Sequence, residues 1–345
     1  MLNQSQTPYS KSSDELPNQV YIEVTNQCNS RCTSCPRTYD LFLPYEPKHH
    51  LTFDEFCCIV DQFPHLERAV LHGIGEPLLN KDLPRFVAYL KQRGTRVLFN
   101  TNAILLNRQR GDALVAAGLD ELRVSLDAIT PDLYATLRGI DRLPQVIHNL
   151  RQFIKRHGGI SSPTVSLWWV AMQANLAQLP DFVRLAAQIG IHEIHMQRLV
   201  YFGDGGAINK DSTMSAEQSL YSVLEQQQLN LINECESLAE NLGLAFHASG
   251  NTTPLDSISA KGSYPWQACT RPWTLMYITA NGNALPCCIS PFAANQYSQI
   301  ILGNVFRHSM EGVWNDKPYQ ELRSAVLSKA PAPWPCQFCG VRWSL

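Results

Sequence analysis

Three cysteines, Cys28, Cys32 and Cys35, stand in a C-x3-C-x2-C pattern within VTNQCNSRCTSCPRT, straight after an apolar, strand-like run. Thiolates are soft donors that suit zinc and iron-sulfur clusters. A structural zinc site closes with four ligands. No Cys or His follows within a few residues, so this loop leaves one coordination position open. An iron-sulfur cluster with an open iron can bind a small molecule there. A second set lies near the C-terminus. Cys269 and Cys287 bracket a hairpin signal, and Cys336 and Cys339 form a C-x2-C pair. Four thiolates from two hairpin ends and one loop can close a tetrahedral site, which fits zinc about as well as a cluster. Cys288 rivals Cys287, and spacing favours Cys287. The other three of the eleven cysteines, Cys57, Cys58 and Cys235, fall in helical patterns and read as buried apolar thiols.

These ligands need a scaffold. A strand–helix alternation runs from residue 19 to about 200. QVYIEVT, RAVLHGI, RVLFNTN, ELRVSLD, TVSLWWVAM and EIHMQRL read as six strands, with amphipathic helices between them. The TFDEFCCIVDQF helix opens on a capping box, Thr52 with Glu55. Short apolar strands separated by helices imply a parallel sheet. Six units do not fill an eight-unit barrel, so the expected fold is α/β, a partial (β/α)6 TIM-like barrel over 19–214. In such sheets chemistry sits at the carboxyl ends of the strands, which is where the three-cysteine loop falls. A polar helix over 215–242 and a Gly/Ser/Pro-rich stretch form a bridge over 215–263. A small β-hairpin/helix domain follows over 264–345, with an Asn-Gly turn in WTLMYITANGNALPCC.

Composition narrows the function class. The 345-residue chain is 45% hydrophobic and carries net charge -2, without the basic excess of a nucleic-acid or anionic-membrane binder. No apolar run reaches the length of a spanning helix. Residues 1–18 are polar, lack a signal core and read as a mobile tail. Cysteines clustered in a large chain of this kind favour metal chemistry over disulfides and imply a cytoplasmic setting.

The cysteine loop resembles the signature of the radical S-adenosylmethionine (radical SAM) superfamily. The resemblance implies that Cys28, Cys32 and Cys35 hold a [4Fe-4S] cluster whose open iron chelates S-adenosylmethionine. Further residues match in order. HGIGEP after the second strand is similar to the family's Gly-Gly-Glu-type motif, here Gly73, Gly75 and Glu76. Two glycines let backbone approach a ligand closely, and a strand-end carboxylate can accept hydrogen bonds from the SAM ammonium. Asn102 ends the third strand. Ser125 and Asp127, in VSLDA, resemble positions that bind the SAM ribose or carboxylate, and Arg138 in LRG resembles a carboxylate clamp. The chain departs from many members at Ser34, where an aromatic residue would pack on adenine.

The C-terminal cysteines resemble a twitch domain, the shortened relative of the SPASM domain, and their spacing is similar to that of 2-deoxy-scyllo-inosamine dehydrogenases. The resemblance assigns Cys269, Cys287, Cys336 and Cys339 to one auxiliary [4Fe-4S] cluster, closed and suited to carrying electrons. It implies two clusters in all, an oxidoreductase of dehydrogenase type, and a flavodoxin- or ferredoxin-type electron donor. The substrate is expected to be a small metabolite. The alternatives are a ribosomal-peptide maturase and a non-catalytic electron carrier. The short segment ahead of the first strand speaks mildly against a peptide-binding domain. Residues ending the fifth and sixth strands are expected to face the substrate: Trp169, Met172, Gln173, His195, Gln197, Arg198 and Tyr201, with Asp204 in a covering loop. Gln197 and Arg198 are the catalytic candidates.

Overall fold

Apolar strands and amphipathic helices do alternate, and they assemble into one sheet. The computed structural model describes residues 15–40, 42–158, 163–200, 213–215, 217–220, 224–248, 253–259, 269–328 and 334–336. Its strands are β1 (Gln19–Ile22), β2 (Arg68–Val70), β3 (Arg96–Thr101), β4 (Glu121–Ser125), β5 (Thr164–Ala171), β6 (Glu193–Arg198), β7 (Ala245–Ala248), β8 (Leu275–Ile278), β9 (Asn283–Leu285) and β10 (Gly303–Asn304). The barrel helices are α1 (Phe53–Val60), α2 (Leu83–Gln92), α3 (Arg108–Ala116), α4 (Pro131–Arg138), α5 (Leu143–His157), α6 (Leu179–Ile189), α7 (Gln226–Asn241) and α8 (Pro254–Ser259). The C-terminal unit adds α9 (Arg271–Thr274), α10 (Met310–Asn315) and α11 (Lys317–Leu327).

The ten strands lie in the order β10-β9-β8-β1-β2-β3-β4-β5-β6-β7. β1 to β7 are parallel, each bonded to its sequence neighbour, as strand–helix alternation requires. This is a partial TIM-type barrel. The hairpin strand β8 joins β1 in parallel, Gln19 against Leu275 through Ile22 against Ile278, so the small domain extends the barrel's own sheet. Among the described residues no helix is long and apolar enough to cross a membrane.

The bridge differs from its sequence reading. Its helix, expected over 215–242, begins at Gln226, and the AFHA run after it forms β7, paired with β6 from Glu193–Ala245 to Met196–Ala248. Four residues of mixed polarity carry too little period-2 signal to stand out. The α1 capping box forms as expected, with Glu55 N donating to Thr52 Oγ1 at 3.3 Å and Thr52 N to Glu55 Oε2 at 2.8 Å. The cysteines of that helix do not follow expectation. Cys235 is buried, but Cys57 is only partly covered and Cys58 is exposed. The buried stripe of α1 runs through Phe56, Ile59 and Val60, which leaves both thiols on its flank. Residues 1–14 of the expected tail, together with Tyr201, Asp204 and Cys339, lie outside the described residues.

Strand alternation gives the sheet two unlike faces. Val20, Ile22, Val97, Phe99, Leu167 and Trp169 point to the helices and form the main core with them. The intervening residues, Tyr21, Arg68, Arg123, Trp168 and His195 among them, share the opposite, polar face through mutual ring and cation contacts.

Two buried carboxylates tie the hairpin unit to the barrel. Glu46 accepts hydrogen bonds from Thr279 Oγ1 (3.0 Å), Asn281 Nδ2 (2.9 Å), Asn283 Nδ2 (2.9 Å) and Tyr297 OH (3.1 Å). Glu23 accepts from Ile74 N (2.8 Å) and Tyr277 OH (3.1 Å), with Ala280 N at 3.4 Å. Burial, and then the neighbouring Glu46, push the Glu23 carboxyl from 4.5 up to about 8 against these donors. Because the folded carboxyl titrates above the unfolded one, its contribution is complete below pH 4.5 and is lost as pH rises through about 8. The amplitude is on the order of a few kcal/mol. Glu23→Gln keeps an acceptor for Ile74 N and Tyr277 OH but cannot ionise. Urea unfolding between pH 5 and pH 9 is expected to show stability falling more steeply in the wild type than in the variant. Equal slopes would exclude Glu23 as their source.

Candidate functional site

The three-cysteine loop leaves the carboxyl end of β1 and is held by its own backbone. Cys35 N donates to Cys32 O at 3.1 Å, and Ser30 N donates to Cys28 Sγ at 3.4 Å. Arg37, which sequence reading passed over, donates to Asn26 O (3.3 Å), Cys28 O (3.2 Å) and Ser30 O (3.5 Å). Its signal was present, since an Arg two residues past the last ligand can reach back over a tight loop. The loop then docks on the end of α4. Arg31 N donates to Arg138 O at 3.1 Å and Thr33 N to Leu137 O at 2.9 Å, satisfying helix carbonyls that have no partner inside the helix. Gly139 makes this possible: its φ of 65° is left-handed, and a Cβ there would strike Arg31 O.

Burial pushes the Cys28 thiol up to about 11, with Glu76 adding to it, and the Cys35 thiol up to about 12, with Cys32 adding to it. Cys32 is also raised by burial and pulled back by Arg138. Left to the protein alone these thiols stay protonated; a bound metal supplies the positive charge that ionises them. The donor set is three soft thiols on one loop, with Cys32 raising both Cys28 and Cys35, and it fits an iron-sulfur cluster. Among the described residues, no three His, Cys, Asp or Glu side chains converge as closely as a single metal ion requires.

The residues expected around S-adenosylmethionine gather beside this loop, mostly on one another. Glu76 is 2% exposed. Its Oε1 accepts from Thr101 Oγ1 (2.7 Å) and Leu78 N (3.1 Å), and its Oε2 from Asn102 N (2.8 Å). A carboxylate offers about four lone-pair positions, so Oε2 keeps one for a ligand. Asn102 Nδ2 donates to Asn29 Oδ1 (2.8 Å) and Ser30 Oγ (3.2 Å) and lies 3.9 Å from Cys28 Sγ, so Asn102 pins the cysteine loop to β3. Asp127 and Arg138 form a buried ion pair at 2.7 Å, 5% and 9% exposed, and Arg138 Nη1 lies 3.9 Å from Cys32 Sγ. Asp127 Oδ1 also accepts from Val170 N at 2.9 Å. Ser125 ends β4, in register with Trp168 of β5.

Gly73 and Gly75 approach protein. A Cβ on Gly73 would run into the Glu23 side chain, and one on Gly75 into the backbone of Thr25 and Gln27. Both glycines let the β2 loop lie on the β1 loop, where Glu76 N donates to Gln27 O at 2.8 Å. Gly75→Ala is expected to force these loops apart, at about 1–3 kcal/mol, and to lower iron retention after reconstitution. A variant that keeps wild-type iron and melting temperature would contradict this packing.

In the C-terminal unit, Cys269 and Cys287 lie within electrostatic reach of each other. The Cys288 thiol also lies within electrostatic reach of Cys287, and Tyr21 is beside it. Cys336 packs against the main core.

Strand alternation changes the expected substrate wall. Trp169 packs on Phe182 of α6 at 4.5 Å and Met172 is in the core, so neither faces the concave side. Trp168 takes that place, stacked on His195 at 4.1 Å. An apolar WW pair hides which ring points inward until its register is set. Gln197 falls on the concave alternation beside Val170, whereas Arg198, 6% exposed, pairs with the core residue Ala171.

Comparison with known proteins follows the same division of the chain. Residues 22–167 match the Radical SAM superfamily, and residues 269–340 match SPASM, an iron-sulfur cluster-binding domain. Fe-coproporphyrin III synthase of Methanosarcina barkeri is 29% identical over 245 residues, 69% of this chain and 58% of that protein, so the match spans little more than half of that relative. PqqA peptide cyclase of Granulibacter bethesdensis is 23% identical over 332 residues, 95% of this chain and 81% of that one. Streptococcus suis SuiB bound to S-adenosylmethionine superposes with a TM-score of 0.68 at 18% identity, over 96% of this chain and 72% of that chain, a likeness of fold. BtrN in complex with AdoMet and 2-DOIA reaches a TM-score of only 0.46 at 16% identity, over 95% and 94% of the two chains.

Proposed function

We propose that this chain, a radical SAM domain joined to a SPASM iron-sulfur domain, abstracts hydrogen from its substrate and oxidises the resulting radical by one further electron. Cys28, Cys32 and Cys35 would hold the first cluster, and Cys269, Cys287, Cys336 and Cys339 the second. When bound, the clusters and S-adenosylmethionine supply the radical chemistry: reductive cleavage to a 5'-deoxyadenosyl radical at the first site, and an electron acceptor at the second. The protein's own part is positional. Arg37 and Asn102 set the loop, Glu76 Oε2 offers an acceptor to the SAM ammonium, and Asp127 and Arg138 address its polar groups. Gly73, Gly75 and Ser125 complete that wall in this reading, and Gln197 and Arg198 remain the candidates for moving a proton. The observation that carries the reading is that Asn102 and the Asp127–Arg138 pair reach Cys28 and Cys32 of the loop, with Glu76 bonded to Asn102 N, at adjacent strand ends. Reconstituted protein supplied with dithionite and S-adenosylmethionine is expected to form 5'-deoxyadenosine. Full iron content without that product would refute it.

The substrate in this reading is a small metabolite, the setting is cytoplasmic, and a flavodoxin- or ferredoxin-type protein delivers the first electron. A second reading, maturation of a ribosomally made peptide, is favoured by the match to PqqA peptide cyclase along 95% of this chain. Isotope incorporation from candidate substrates into 5'-deoxyadenosine separates the two.

A further inference from the structure

The concave face of the sheet carries a cluster that the site above does not use. Arg123 lies on β4, two residues before Ser125. Its Nε donates to Glu121 Oε1 at 2.5 Å, and Glu121 Oε2 is taken by Arg96 at 3.1 Å. The terminal nitrogens of Arg123 have no hydrogen-bond partner among the described residues, and its side chain is 17% exposed. The guanidinium lies 4.4 Å from the Trp168 ring centre, and Trp168 stacks on His195 at 4.1 Å with planes 8° apart. Three flat groups are thus layered across β4, β5 and β6.

His195 is 7% exposed; its Nε2 meets Glu193 at 2.6 Å, while its Nδ1 is buried without a partner. His72, just past β2, also has an Nδ1 sealed from solvent without a partner. Burial, and then Arg123, push that imidazole down to about 4, so at neutral pH it is a neutral hydrogen-bonding group. Buried polar atoms are normally satisfied, and exceptions call for a ligand or water. Arg68, 6.0 Å over the Tyr21 ring, adds a second cation to this face. Its carboxylates are already engaged: Glu121 by two arginines, Glu193 by His195.

We propose that this face is the substrate seat and selects a carboxylate borne next to a flat group, the carboxylate on the free edge of Arg123, the flat group against the outer edge of the Arg123–Trp168–His195 stack, and His72 and His195 completing the polar contacts. A guanidinium matches a carboxylate with paired, charge-assisted bonds that an amide cannot reproduce. A ring beside it gains from the indole and imidazole stack. The seat is a binding site whatever the chemistry; that it holds the substrate rests on the radical SAM reading.

The test is calorimetric titration of the reconstituted full chain with benzoate and benzamide, alongside capped Phe-Glu and Phe-Gln dipeptide amides. The acid is expected to bind at least about tenfold more tightly than its amide, since charged partners make the stronger hydrogen bonds. A preference confined to benzoate points to a free acid; one confined to the dipeptides points to a peptide side chain. Arg123→Gln should abolish the preference, and Trp168→Ala should weaken acid and amide alike. Glu121→Gln breaks the same ion pair but leaves the Arg123 guanidinium and its charge on the face, so it should keep the preference, which separates binding from stability. Equal affinity for acid and amide, no binding of any probe, or an unchanged preference in folded Arg123→Gln would overturn the proposal. Formation of 5'-deoxyadenosine without substrate is measured in parallel. Its absence in the wild type sinks the radical SAM reading and leaves the seat standing, whereas its presence with no acid preference sinks only the seat.

Discussion

Reconstituted without oxygen, the wild-type chain is expected to hold about eight irons and the Cys28/Cys32/Cys35→Ala variant about four, since each cluster holds four. The variant should form no 5'-deoxyadenosine. The expectation follows from the donor set. The loop offers three thiols, and the buried groups beside it are engaged, Glu76 by Thr101, Leu78 and Asn102, Asn102 by the loop and Arg138 by Asp127. None is placed to replace a lost thiolate. In the second set, Cys269 and Cys287 flank the β8–β9 hairpin of the C-terminal unit, away from the β1 loop in sequence, and that set should keep its iron. About four irons in the wild type and none in the variant would mean that the C-terminal cysteines hold no cluster. The one-electron oxidation would then lose its acceptor, and a redox-neutral radical reaction would replace it. Eight irons in both would remove the three cysteines from the site altogether.

Asp127→Ala is expected to cost about 3–5 kcal/mol and to abolish S-adenosylmethionine cleavage. It leaves the Arg138 guanidinium, 9% exposed, without its counter-charge. That residue also contacts Cys32 and, through its carbonyl, holds Arg31, so its strain passes directly into the cysteine loop. Replacing both partners by apolar groups, Asp127→Leu with Arg138→Met, removes the unpaired charge and should recover most of the stability, because buried ion pairs are often dispensable for folding. It should not recover cleavage. Denaturant unfolding and 5'-deoxyadenosine assays on the two variants separate these roles. Wild-type cleavage in the double variant would make the pair purely structural, and a single-variant loss below about 1 kcal/mol would show that the charge is not confined as the geometry indicates.

Much of this site was legible because it is local. Cys28, Cys32 and Cys35 lie within one loop, so their spacing alone specifies a three-thiol donor set. Thr52 and Glu55 specify a helix start for the same reason. The glycines were harder. Gly73 and Gly75 signal close approach, but what approaches them is Glu23, Thr25 and Gln27 from another strand end. Trp168 and Trp169 are neighbours with opposite fates. Only the register of β5 against β4 and β6 decides which of them lines the concave face.

The sequence by itself determined the chemistry on offer and the class of scaffold, because ligand spacing, capping and strand–helix alternation act over a few residues to a few tens. Tertiary structure decided the rest. It paired Arg138 with Asp127, pinned the cysteine loop through Asn102, added β7, and merged the C-terminal hairpin into the barrel sheet through β8. It also aligned Arg123, Trp168 and His195 on one face. Each of these depends on which strands become neighbours and in what register, and that choice is made by burial of the whole sheet rather than by any segment of it.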